Sequence, residues 1–84
     1  MQDVYVGRMV KNLPVLRVAI GLTQEQLGIK LSVSRQTIVA IENQKSPLTW
    51  SLCLAMVCVF NVYEDTKVLL DKLDIYSSEF IIAL

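Results

Sequence analysis

The sequence predicts an all-α fold, a compact five-helix domain over residues 1–84 in which two short helices near the middle are joined by a tight turn. Three observations carry this expectation. Apolar residues make up 54% of the chain and charged ones 19%, a composition that builds a packed core and is too rich in burial-capable side chains for disorder. Those apolar residues recur three and four positions apart, with no run of strand-like alternation. Prolines, glycines and capping residues fall between the periodic segments, where helices begin and end. A chain of 84 residues is one domain by length, and so small a core benefits from an added interface, so a homodimer is expected.

The first helix is expected to open at Asn12-Leu13-Pro14, because proline in a first turn lacks only an N–H that would be unpaired anyway; Leu16, Ala19 and Ile20 follow, and Gly21 ends it. Thr23 with Gln26 three residues on forms a capping box for a second helix, Gln24 to Leu31, whose apolar stripe is Leu27 and Leu31. Ser34 caps a third, Arg35 to about Asn43, with Ile38 and Ile41 facing inward. Only Ser32 and Val33 separate helices two and three, a connection so short that the two must cross steeply as a helix-turn-helix. Pro47 breaks the chain and Thr49 caps a fourth helix, Trp50 to Phe60, apolar nearly all the way round and therefore central. A bend at Asn61 to Tyr63 leads to a fifth, with Glu64 and Asp65 at its positive end and Val68, Leu69, Leu70 and Leu73 beyond. The tail from Phe80 to Leu84 is too apolar to hang in solvent; a short strand or a sixth helical turn fits it, in a dimer contact.

Net charge is zero, unlike that of most nucleic-acid binders, but the charges are segregated. From Arg8 to Lys45 six basic residues face two acidic ones, a net of plus four; from Ser46 onward two basic face five acidic, a net of minus three. That distribution suits one basic face and a far side with another task. Cys53 and Cys58 lie five residues apart, about 140° around a helix, so they do not pair with each other. With no histidine to complete a zinc site, they read as buried thiols; no cofactor or metal is expected. The apolar run from Leu48 to Tyr63 is interrupted by polar residues and is shorter than the roughly 20 residues a membrane span needs. No signal-peptide pattern is seen, and the expected location is the cytoplasm.

Across Gly21-Leu22-Thr23-Gln24-Glu25-Gln26-Leu27, Val33-Ser34-Arg35-Gln36-Thr37-Ile38 and Ile41-Glu42-Asn43 the chain closely resembles the Cro/repressor-type (XRE-like) helix-turn-helix family, over about residues 12–61. The resemblance implies a lambda-repressor-like fold, sequence-specific binding of double-stranded DNA and a bacterial or phage, nucleoid-associated regulator. It leaves helix five and the tail, residues 62–84, for dimerisation. Base-edge contacts are implied for Arg35, Gln36, Thr37 and Ala40: arginine suits guanine, glutamine suits adenine, and threonine or alanine can meet a thymine methyl. Phosphate contacts are implied for Gln24, Ser34, Asn43 and Lys45, and Arg8 and Lys11, ahead of the first helix, can reach the flanking backbone. A lysine in a polar loop is more often a solvated charge, and that bland reading applies to Lys45. Arg17 and Glu42 are implied to form a partly buried structural ion pair. Three departures bear on stability: Gly28 stands where the family has Ala, while Ser32 and Gln44 replace turn glycines.

A dimeric transcription regulator, most simply a repressor on a palindromic operator, is the leading function. Alternatives are a DNA-binding antitoxin whose tail masks a small protein partner, and a helical protein-interaction module with no DNA role. The sequence shows no histidine, no paired-carboxylate arrangement and no phosphate-cradling loop that would suit an enzyme.

Overall fold

The computed structural model describes all residues from Met1 to Leu84 and contains six helices: α1 (Gln2–Ala19), α2 (Gln24–Leu31), α3 (Arg35–Glu42), α4 (Trp50–Val62), α5 (Glu64–Lys72) and α6 (Ser78–Ala83). The elements from α2 onward follow the punctuation of the sequence. Thr23 closes its capping box on Gln26, and Ser34, Thr49 and Ser77 each accept the backbone N–H three residues on. The apolar tail takes the helical option.

α1 differs from expectation. It begins at Gln2, ten residues before the anticipated start, and Pro14 lies inside it. The stripe Tyr5, Met9, Leu13 and Leu16 is buried along its whole length and pulls the chain into one helix through the proline. A proline removes one backbone hydrogen bond, and burial of four large side chains outweighs that loss. The side-chain amide of Asn12 donates to the Arg8 carbonyl at 2.9 Å in the turn before Pro14. Arg8 and Lys11 therefore sit within α1 and not ahead of it. At the far end Gly21 takes φ +69° and hands the chain to α2.

Sixteen buried apolar residues from every helix and from the loops before α4 and α6 form one core. α4 supplies Cys53, Met56, Val57 and Phe60, as its all-round apolar sequence requires, and extends to Val62, so that Tyr63 alone makes the break before α5. Thr66, buried, donates its hydroxyl to the Phe60 carbonyl at 2.6 Å and thereby secures the α4–α5 corner. In α6 only Phe80 is buried, its ring edge-on to Tyr5 and Tyr76 and tilted against Trp50 at centroid distances of 5.2, 5.5 and 5.3 Å.

The two cysteines diverge: Cys53 is buried, but Cys58 is exposed, which corrects the expectation of two buried thiols. Five residues along a helix carry a side chain well round the axis, and α4 packs its Cys53 side inward. Burial pushes the Cys53 thiol up to about 11. A thiol-disulfide reagent at neutral pH is therefore expected to label Cys58 rapidly and Cys53 only as fast as the chain opens, measured by mass spectrometry of each site. Equal rates at both sites would contradict this packing.

Candidate nucleic-acid interface

The two helices that frame the site meet at Gly28 and Val33. Ser32 adopts a left-handed conformation, φ 60° and ψ 37°, so the backbone reverses within two residues, and the Val33 N–H closes on the Gly28 carbonyl at 2.9 Å. A Cβ built on Gly28 would lie 2.7 Å from the Val33 carbonyl oxygen, backbone against backbone, where neither side yields cheaply. Glycine thus permits a closer crossing than alanine would. Gly28→Ala is expected to lower stability by about 1–3 kcal/mol in urea unfolding, the overpacking cost exceeding the gain of about 1 kcal/mol in helix propensity. Unchanged or raised stability would mean that the crossing relaxes.

Ser34 begins α3. Its hydroxyl accepts the Thr37 N–H at 3.1 Å and lies 2.9 Å from the Thr37 hydroxyl, so the two polar residues lock the first turn. Ile38 and Ile41 are buried, which leaves Arg35 and Gln36 exposed with side chains that make no hydrogen bond inside the chain. Helical spacing sets Gln36, Ala40 and Asn43 in one outward row, Asn43 exposed and Ala40 half-buried. Arg35 and the half-buried Val39 form the adjacent row.

Glu42 closes the other end of α3. Its carboxylate accepts from Arg17 Nε at 2.8 Å and Nη2 at 3.3 Å, a forked pair whose side chains are only 15% and 6% exposed. Arg17 Nη1 donates to the Leu22 carbonyl at 2.8 Å, and Gln24 Nε2 donates to Glu42 Oε1 at 3.1 Å. The ion pair expected by resemblance is thus present, and it holds a residue expected to grip phosphate. One amide hydrogen of Gln24 is committed to Glu42, leaving the second free to point outward.

After α3 the chain turns through Gln44, also left-handed at φ 58°, and the N–H groups of Lys45 and Ser46 both return to the Ala40 carbonyl, at 2.8 and 3.3 Å. This turn sets Lys45 and Ser46 opposite Gly7 and Lys11 of α1, across an open groove of about 800 Å³. Lys11 and Lys45 therefore face one space although 34 positions apart in sequence, and the sequence reading missed Ser46 beside them. Its signal was the unbroken polar run Asn43-Gln44-Lys45-Ser46.

Arg8 does not join this group. Its guanidinium donates to the Asp74 carbonyl at 2.8 Å, lies 5.5 Å from the Tyr5 ring centroid, and lines a separate groove with Glu79 and Ile82. Its orientation is set by the turn after α5, a contact that depends on α1 beginning at Gln2.

A family model described as Helix-turn-helix matches residues 16–66, well over half of the chain. The protein belongs to the Cro/repressor-type (XRE) helix-turn-helix family. Membership brings double-stranded DNA binding and transcription regulation, and the family is a DNA-binding, regulatory one and not typically enzymatic. The matched span takes in the end of α1, the α2–α3 unit, α4 and the first turn of α5, so the interface just described lies inside it except for Lys11. No curated protein and no solved structure matches the chain significantly. No helix is long and apolar enough to cross a membrane.

Removing one partner of a buried, hydrogen-bonded ion pair strands the other charge. Arg17→Met is accordingly expected to cost about 3 kcal/mol in unfolding free energy. A loss below about 1 kcal/mol, the range of solvent-exposed pairs, would show that water screens Glu42 effectively.

Proposed function

We propose that the protein is a repressor that acts as a single-domain homodimer on a palindromic operator and excludes other proteins from that DNA. The observation that carries the reading is the pair of exposed side chains Arg35 and Gln36, neither hydrogen-bonded within the chain, in a first turn otherwise locked by Ser34 and Thr37. A rigid turn with two free, bidentate-capable side chains is what base-edge recognition in a major groove requires. Arg35 and Gln36 read base edges, with Thr37 and Ala40 meeting thymine methyls alongside. Ser34 and Asn43, at the two ends of α3, meet the sugar-phosphate backbone, as does Gln24 with its remaining amide hydrogen. Lys11 and Lys45 straddle a phosphate from their shared groove. Arg8, tied to Asp74, is left out of the phosphate set and assigned to the fold.

Symmetry supplies the rest: two copies present two recognition helices about 34 Å apart, one turn of DNA, so the operator is a palindrome. Selection from a random DNA pool tests this, an enriched palindrome with half-sites one turn apart being the expected result. No enrichment at low salt would favour a protein-interaction role for the exposed apolar surface.

Two variants divide reading from gripping. Gln36→Ala is expected to weaken cognate binding by about 1–3 kcal/mol with little change on random DNA. Equal losses on both would remove Gln36 from base reading. Lys45→Ala is expected to weaken binding to every sequence and to make the salt dependence shallower by about one unit. An unchanged slope would place its ammonium off the backbone.

A further inference from the structure

Glycine inside a helix lowers the folding equilibrium constant about four- to fivefold against alanine. Two conditions ordinarily offset that cost: a left-handed backbone, or a neighbour too close to admit a Cβ. Gly21 meets the first, at φ +69°, and Gly28 the second, against the Val33 carbonyl. Gly7, in the second turn of α1, meets neither within the chain: its φ is not positive, and a Cβ built on it would find no atom within 4 Å. It opens instead on the groove that holds Lys11, Lys45 and Ser46.

We propose that Gly7 is where a DNA strand comes closest to α1, and that the Ser46 hydroxyl, across the groove, donates to the phosphate that Lys11 and Lys45 attract. The proposal rests on the DNA-binding reading above and deepens it by assigning the walls of that phosphate site. Lys11 stands one turn beyond Gly7 on the same face of α1, with Lys45 and Ser46 opposite. Both lysines are exposed and unpaired, no acid lines the groove, and the Ser46 hydroxyl makes no hydrogen bond inside the chain. Two ammonium groups and a free hydroxyl around an acid-free opening match a phosphodiester, whose oxygens accept from all three.

The groove continues the recognition surface. Lys45 and Ser46 follow closely on Asn43, and their N–H groups return to the Ala40 carbonyl of α3, so this wall is fixed to the recognition helix. A strand whose backbone passes Asn43 is thereby led between the loop and α1. There the bare main chain of Gly7 lets it settle at the depth of Lys11. A side chain at position 7 would stand in the opening and hold the strand off, and the attraction of both lysines falls with that distance. The glycine thus exchanges helix stability for access.

Urea unfolding paired with DNA titration of the full chain tests the assignment, because the two readouts are expected to move in opposite directions. Gly7→Ala and Gly7→Leu are each expected to raise the folding equilibrium constant about three- to fivefold, alanine and leucine being strong helix formers. Gly7→Leu is expected to bind at least about tenfold more weakly, on the selected operator and on random DNA alike, with a salt dependence shallower by about one unit. Gly7→Ala is expected to lose less. Ser46→Ala is expected to keep wild-type stability and to bind every sequence about fivefold more weakly. A Gly7→Leu chain that is stabilised but binds like the wild type overturns the approach at Gly7, and an unchanged affinity in Ser46→Ala overturns the hydroxyl contact; in both cases the DNA-binding reading stands. Weaker binding that comes only with weaker folding in both Gly7 variants also overturns the approach, as damage to α1. A wild type that binds neither the operator nor random DNA at low salt overturns the proposal together with the reading on which it rests.

Discussion

Glu42 is the constraint around which the DNA-facing half is organised. A carboxylate that is 6% exposed must be matched where it sits, and the groups that match it come from α1 and α2. Arg17 provides the charge and in the same gesture ties down the Leu22 carbonyl in the α1–α2 loop; Gln24 provides the third hydrogen bond. The start of α2, the end of α3 and the last turn of α1 are thereby fixed to one atom group. The hydrophobic core alone is non-directional and would tolerate small rotations of these helices. The forked pair does not, because it depends on alignment as well as distance.

The C-terminal half works by a different logic. α4 is buried on several sides, α5 covers part of it, and the Phe80 cluster closes the end by joining Tyr5 of α1 to Trp50 of α4. Three rings around a fourth supply buried area and a preferred geometry. The first turns of α1 thus have a purpose that no local signal announces: they form the other half of a contact with a residue 75 positions away.

What the sequence revealed follows from this contrast. Caps and the two-residue turn are local chemistry, and α2, α3 and the starts of α4 and α5 were legible from Thr23, Ser34, Thr49 and Glu64 alone. The start of α1 was not, because Pro14 obeys two rules at once: it is favoured in a first turn and merely tolerated inside a helix. Tertiary burial of Tyr5 and Met9 decided between them, although the stripe Tyr5, Met9, Leu13 and Leu16 was already visible. Cys58 was misread because an almost uniformly apolar helix gives no marker of which side faces water. The outward row on α3 follows from the Ser34 cap and helical spacing, whereas the shared groove of Lys11 and Lys45 depends on two left-handed residues and a long α1. The diversion of Arg8 to Asp74 depends on another left-handed turn, at Asp74 itself.

Zero net charge, at first an argument against DNA binding, becomes intelligible once each charge is placed. What a polyanion senses is the field at its own surface, and beyond about 10 Å the rest is largely screened in physiological salt. Lys11, Arg35 and Lys45 are exposed with no acidic partner, whereas Glu42, the acid nearest them in the fold's hydrogen-bond network, is already neutralised by Arg17. The acids of α5 sit at its first turn, where they stabilise a helix end, or along its solvent face. Segregation gives the DNA side its attraction without a basic total, because a local field and not the overall charge is what the phosphate backbone meets.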